Sequence, residues 1–246
     1  MVGRLLVRGM IAGLLAGLLA WAFAWLAGEP SVDAAIGFEE AGEHEHGVEL
    51  VGRAVQSTIG LGVGVVLVGV ALGGIVALAF AFCYGRVGKG GVLATALGVA
   101  LGGWVCAGLV PFLKYPANPP GVGAGSTIDD RSGLYFAFVL CSVVFAVAAV
   151  YAWRRFGATL AAGGGYVVAV AVVAWLLPAV DEVPRAFPAD TLWDFRIASM
   201  SLQFVLWAGI GVVFGLLARP VLQPAGSRVR STGAARIATT ASDTIA

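Results

Sequence analysis

Leu109 to Gly123 reads LVPFLKYPANPPGVG, an apolar run that ends in a lysine, a tyrosine and then three prolines within five positions. Proline lacks the backbone N–H and disfavours the helical region for the residue before it, so Pro116, Pro119 and Pro120 must stop any helix that reaches them. The stretch is a rigid cap. Leu177 to Pro188, LPAVDEVPRAFP, has the same character: it closes another apolar run and carries adjacent carboxylates at Asp181 and Glu182. The two segments are read as partners on one face of the molecule.

The runs that these caps terminate set the class. The chain has 246 residues, 59% hydrophobic and 12% charged, with a mean hydropathy of +0.93, against roughly 25% charged in ordinary soluble domains. Six apolar runs, roughly Leu5 to Ala27, Val55 to Tyr84, Val92 to Leu113, Leu134 to Trp153, Ala158 to Leu177 and Ile197 to Ala218, are almost free of charge. Each holds about 20 residues or more, enough to cross a hydrocarbon core about 30 Å thick as a helix. The expectation is an all-α, polytopic membrane protein with a six-helix domain over residues 1–219 and a disordered tail over 220–246, rich in Ser, Thr, Ala and Gly. The first run is long for the apolar segment of a signal peptide, so it reads as an uncleaved span.

Orientation follows from the basic residues, which are enriched on cytoplasmic loops near spans. Arg4, Arg8, Arg86, Lys89, Arg154, Arg155, Arg219, Arg228, Arg230 and Arg236 share one side, while Arg53, Lys114, Arg131, Arg185 and Arg196 share the other. Both termini are therefore expected in the cytoplasm. Of 14 acidic residues, 13 fall on the outer side and only Asp243 on the inner, so the outer face attracts cations.

Both histidines lie in the first outer loop, where His44 and His46 flank Glu45 and follow Glu43. In an extended strand, residues two apart face the same way, and imidazoles with carboxylates suit borderline metals such as cobalt, nickel, zinc and copper. A solvated acidic loop explains the same residues equally well. Cys83, Cys106 and Cys141 read as small buried apolar residues, with no CxxC to support redox or disulfide chemistry. Glycines at 9, 13 and 17, and again at 69 and 73, recur every four residues, a pattern that lets helices approach closely. GRVGKGG at 85–91 fails as a phosphate loop, since Cys83 replaces the first glycine and Gly90 the required Ser or Thr.

Lys114 and Tyr115 are either boundary residues, one snorkelling and one interfacial, or part of a gate with Pro116, Asn118, Pro119 and Pro120. Gln56, Ser57 and Thr58 either line a polar entrance or cap the second helix. Arg196, Ser199 and Gln203 recur at helical spacing as a polar stripe on the sixth span. Arg196 is expected to pair with Asp181, Glu182, Asp190 or Asp194, with a place in a transport pathway as the alternative.

The glycine-rich first span, Pro111 to Gly123, Arg131 to Tyr135, Leu177 to Asp190 and LWDFRIASMSLQ at Leu192 to Gln203 occur in order across nearly the whole chain. In these pieces the chain resembles the CbtA family of predicted cobalt transporter subunits. The resemblance implies cobalt uptake across the cytoplasmic membrane of a prokaryote, with cobalt as cargo and no tightly bound cofactor. It also implies a link to cobalamin supply and a small single-span partner with a histidine-rich end.

Two functions stay open from the residues. In a permease, the outer carboxylates attract the ion, His44, His46, Glu43 and Glu45 meet it, and it passes Asp181 and Glu182 into a gate. In a non-conducting accessory subunit, metal is presented to a separate transporter; the absence of Asp, Glu and His from the middle of every span suits this reading. An enzyme is not expected, because the chain has no GxSxG or HExxH pattern. Nucleic-acid binding has no support, because the basic residues flank spans.

Overall fold

The computed structural model describes residues 1–40, 52–120, 122–123 and 125–222. Its framework is six helices long and apolar enough to cross a membrane: α1 Val2–Phe38, α2 Arg53–Cys83, α3 Val92–Lys114, α4 Ile128–Phe156, α5 Thr159–Leu176 and α6 Ala189–Leu222. No strand occurs among the described residues. The all-α, six-span expectation is met.

Several helices outrun their apolar segments, because backbone hydrogen bonding continues into polar turns where hydropathy stops reporting. α4 begins at Ile128 with Asp129 and Asp130 in its first turn, where carboxylates face the positive end of the helix dipole. α1 continues helically through Glu29–Glu40. Its passage over Pro30 is preceded by a π-turn at Ala24–Gly28, a local widening where the regular ladder loses its donor. α3 repeats the device, with a π-turn at Val105–Leu109 immediately before Pro111. α6 carries on through Pro220 to Leu222, past Ala218, where the apolar run ends; Arg8 of α1 donates to the Leu217 carbonyl near that proline. The remaining tail, 223–246, lies outside the described residues.

Four helices share one core. Leu5, Ala12 and Ala16 of α1, Val76 and Phe80 of α2, Val92 and Ala96 of α3, and Trp207, Ile210 and Phe214 of α6 are all buried together. The α1–α2 contact is backbone against backbone: a Cβ on Gly13 would stand 2.0 Å from the Gly69 carbonyl oxygen, and one on Gly73 would stand 2.1 Å from that of Gly9. The four-residue glycine rhythm is packing, as expected from the sequence, since small residues let helices approach closely in lipid.

The α4–α5 hairpin, turned by Gly157 at φ +71°, sits outside this core. Phe138 and Ser142 are the buried residues of α4, and no residue of α5 is buried. The hairpin is tied to α3 through Tyr166, whose hydroxyl lies 2.9 Å from Ser142 Oγ and 3.8 Å from Cys106 Sγ.

A second small core closes one end of the bundle. Ala35, Val122 and Phe187 are buried against one another, with Phe38, Val183 and Leu192 packed around them. It joins the extension of α1 to the segments following α3 and α5, so the two proline-rich segments do share one face.

Candidate functional site

Next to that second core, the two proline-rich segments line a partly open cavity of about 960 Å³ together with α3, α4 and α6. Each wall has a local cause. Pro111 cannot donate to Ala107 four residues back. The Ala107 carbonyl accepts instead from the Tyr135 hydroxyl of α4 at 2.9 Å, which brings α4 against the broken end of α3. Gly108 and Tyr135 both face the cavity.

Past Lys114 the chain leaves the helix, and Tyr115, Pro116, Asn118, Pro119 and Pro120 form the next wall. The Tyr115 hydroxyl donates to the Pro178 carbonyl at 2.9 Å, which ties this wall to the segment after α5. Loss of water around the phenol pushes its pKa up. Lys114 does not line the cavity; its ammonium lies 5.7 Å from the Tyr115 ring centroid.

The segment after α5 contributes Asp181, which is exposed and lines the cavity. Glu182 points to Arg131 of α4, with Oε2 3.2 Å from Nε and side chains 20% and 25% exposed. Gly123, at φ +102°, passes over this pair so closely that a Cβ would stand 2.6 Å from Glu182 Oε2. Here the left-handed conformation and the close approach both require glycine.

The last wall is the polar stripe of α6: Arg196, Ser199 and Gln203 all line the cavity. Arg196 departs from the sequence expectation. Its Nε donates to the Ala117 carbonyl at 3.3 Å and its Nη2 to Asn118 Oδ1 at 3.0 Å, and no carboxylate among the described residues stands within ion-pair distance of it. Glu182 is engaged with Arg131, and the backbone of the first proline-rich segment offers the arginine a nearer, neutral anchor. Gln56, Ser57 and Thr58 lie away from this cavity; Thr58 Oγ1 bonds back to the Ala54 carbonyl at 2.6 Å, and the Thr58 carbonyl accepts from the Trp21 indole at 3.1 Å.

Of the residues singled out in the sequence, Tyr115, Pro116, Asn118, Pro119, Pro120, Asp181, Arg196, Ser199 and Gln203 come together around one space. Glu43, Glu45, His44 and His46 lie outside the described residues. Among the described residues no group of three or more His, Cys, Asp or Glu side chains is gathered to hold a metal ion. Arg131 and Tyr135 were given no role by sequence reasoning. Their signals were their place in the polar opening of α4 and the Arg131 to Tyr135 stretch among the pieces that carry the family resemblance.

The model of the family described as "Probable cobalt transporter subunit (CbtA)" matches residues 2–219. The chain belongs to the CbtA family. The match covers α1 to α5, both proline-rich segments and α6 as far as Arg219 of this CbtA chain. No curated protein and no solved structure matches the chain. With six membrane-length helices, the CbtA chain is a multi-pass protein of the cell membrane, and its family is described as a probable cobalt transporter subunit.

Proposed function

We propose that this CbtA chain is the conducting subunit of a cobalt uptake system, a permease and not an enzyme. The observation that carries the reading is the 960 Å³ cavity, in which two proline-rich segments meet the polar stripe of α6. Non-helical backbone at the edge of a membrane is tolerated where protein or a wet cavity surrounds it, and such places are where membrane proteins admit ions. The charge distribution puts this end outside and both termini in the cytoplasm. The acidic outer surface concentrates Co²⁺, and His44 and His46 with Glu43 and Glu45 make the first contact. Asp181 stands at the cavity, and Glu182 holds its wall through Arg131. Ser199, Gln203 and backbone carbonyls then supply oxygen ligands along α6.

Whole-cell cobalt, measured by elemental analysis in an uptake-deficient host, tests this directly. Cobalt should rise in cells expressing this chain alone relative to empty vector, with nickel counted in parallel. No rise with the chain alone, followed by a rise when a small histidine-rich single-span partner is added, would give the accessory reading its due. That second reading draws on the absence of a three-ligand metal group among the described residues, and on α5, whose unburied surface leaves room for a partner helix.

A further inference from the structure

The cavity holds a fixed cation whose anchors are neutral. Arg196 is half-buried, and its two anchors, the Ala117 carbonyl and Asn118 Oδ1, carry no charge. These anchors use Nε and one Nη2 hydrogen, so both Nη1 hydrogens and the second Nη2 hydrogen remain, and the Nη1–Nη2 edge can donate a pair to another acceptor. Arg131, the other arginine lining the cavity, faces Glu182 at 3.2 Å. A guanidinium fixed in this way is preorganised for a planar anion, because its geometry matches a carboxylate through paired hydrogen bonds.

The rest of the wall narrows the class of anion. Phe112, Phe136, Val180, Val183, Phe195 and Met200 share the lining with the polar groups. Besides the Arg196 guanidinium, the charged groups on the lining are the exposed Asp181 carboxylate and Arg131, which faces Glu182. Apolar surface with a few oriented polar groups is the make-up of a small-molecule site, and about 960 Å³ falls within the usual size of one. A bare inorganic oxyanion would leave the aromatic and aliphatic walls unused.

We infer that this cavity binds a small organic carboxylate, with Arg196 as the anion anchor and Ser199 and Gln203 as neutral hydrogen-bonding partners. The inference builds on the proposed uptake route and deepens it. A dication approaching Arg196 alone is repelled, whereas a carboxylate seated there offsets the guanidinium charge and adds anionic oxygen ligands to the neutral ones of Ser199 and Gln203.

The test is calorimetric titration of metal-free, detergent-purified full-length chain with citrate, and separately with sulfate. Citrate should bind the wild type and bind Arg196→Gln at least about tenfold more weakly, the loss expected when a charge-assisted hydrogen-bond pair is removed. Arg196→Lys should recover only part of the affinity, and sulfate should bind more weakly than citrate. Absence of citrate binding to wild type, equal binding of citrate and sulfate, or unchanged citrate affinity in a folded Arg196→Gln would each overturn the inference. Should Arg196→Gln fail to fold, phenylglyoxal labelling of wild type, read by mass spectrometry, decides: citrate must slow modification at Arg196, and equal labelling with and without citrate refutes the site. Because no metal is present, a failure here leaves the cobalt-accumulation result untouched.

Discussion

Tyr115 and Pro178, 63 residues apart in the chain, are joined by a 2.9 Å hydrogen bond from phenol to carbonyl. The bond crosses between the two proline-rich segments, and Tyr115 lines the cavity. The ring also packs edge-on against Phe138 of α4 at 6.2 Å, so Tyr115 ties its own segment to two others, the one after α5 and α4.

Tyr115→Phe removes the bond and keeps the ring. We expect a loss of about 1 kcal/mol in stability, typical of one hydrogen bond, read as a lower thermal midpoint in detergent. Cobalt accumulation should fall by more than this stability loss predicts, since Tyr115, which lines the cavity, loses its tie to the segment after α5.

The Arg131–Glu182 pair is partly shielded from solvent, so it should be worth more than an exposed pair. Arg131→Glu and Glu182→Arg should each destabilise. The double swap should recover part of the loss, with a coupling energy of about 0.5–3 kcal/mol in a double-mutant cycle. Strictly additive losses would show that the two residues act apart.

Gly13→Ala places a methyl group 2.0 Å from the Gly69 carbonyl oxygen. Backbone cannot yield as a flexible side chain does, so α1 and α2 must separate, and a cost of about 1–3 kcal/mol or more is expected. Gly102→Ala meets nothing within 4 Å and should leave thermal stability unchanged or slightly higher, because alanine is the better helix former. Comparing the two melting curves separates packing from helix propensity.

Gln203→Leu keeps approximate size but removes both hydrogen-bonding groups from the cavity wall. Cobalt accumulation should drop severalfold in expressing cells, while membrane abundance, measured by immunoblot, stays near wild type. Undiminished accumulation would move the ion's route away from α6.

Much of this architecture was legible in the chain itself. Membrane class and six helices follow from apolar run length, because a bilayer core admits few other ways to satisfy the backbone. The prolines foretold where α3 and α5 stop, and the four-residue glycine rhythm foretold a close helix pair, because both signals are local. The partner of Arg196 was not legible: four acids lie near it in sequence, yet Asn118 and the Ala117 carbonyl, 78 and 79 residues away, take its hydrogen bonds. Nor did the sequence reveal that Tyr135 would satisfy the carbonyl orphaned by Pro111, or that Gly123 would cross the Arg131–Glu182 pair. Run lengths and helix stops depend on each segment's own backbone and solvent. Which long side chain reaches which acceptor depends on how six helices and two proline-rich segments pack, and only the tertiary structure brings those distances below hydrogen-bond length.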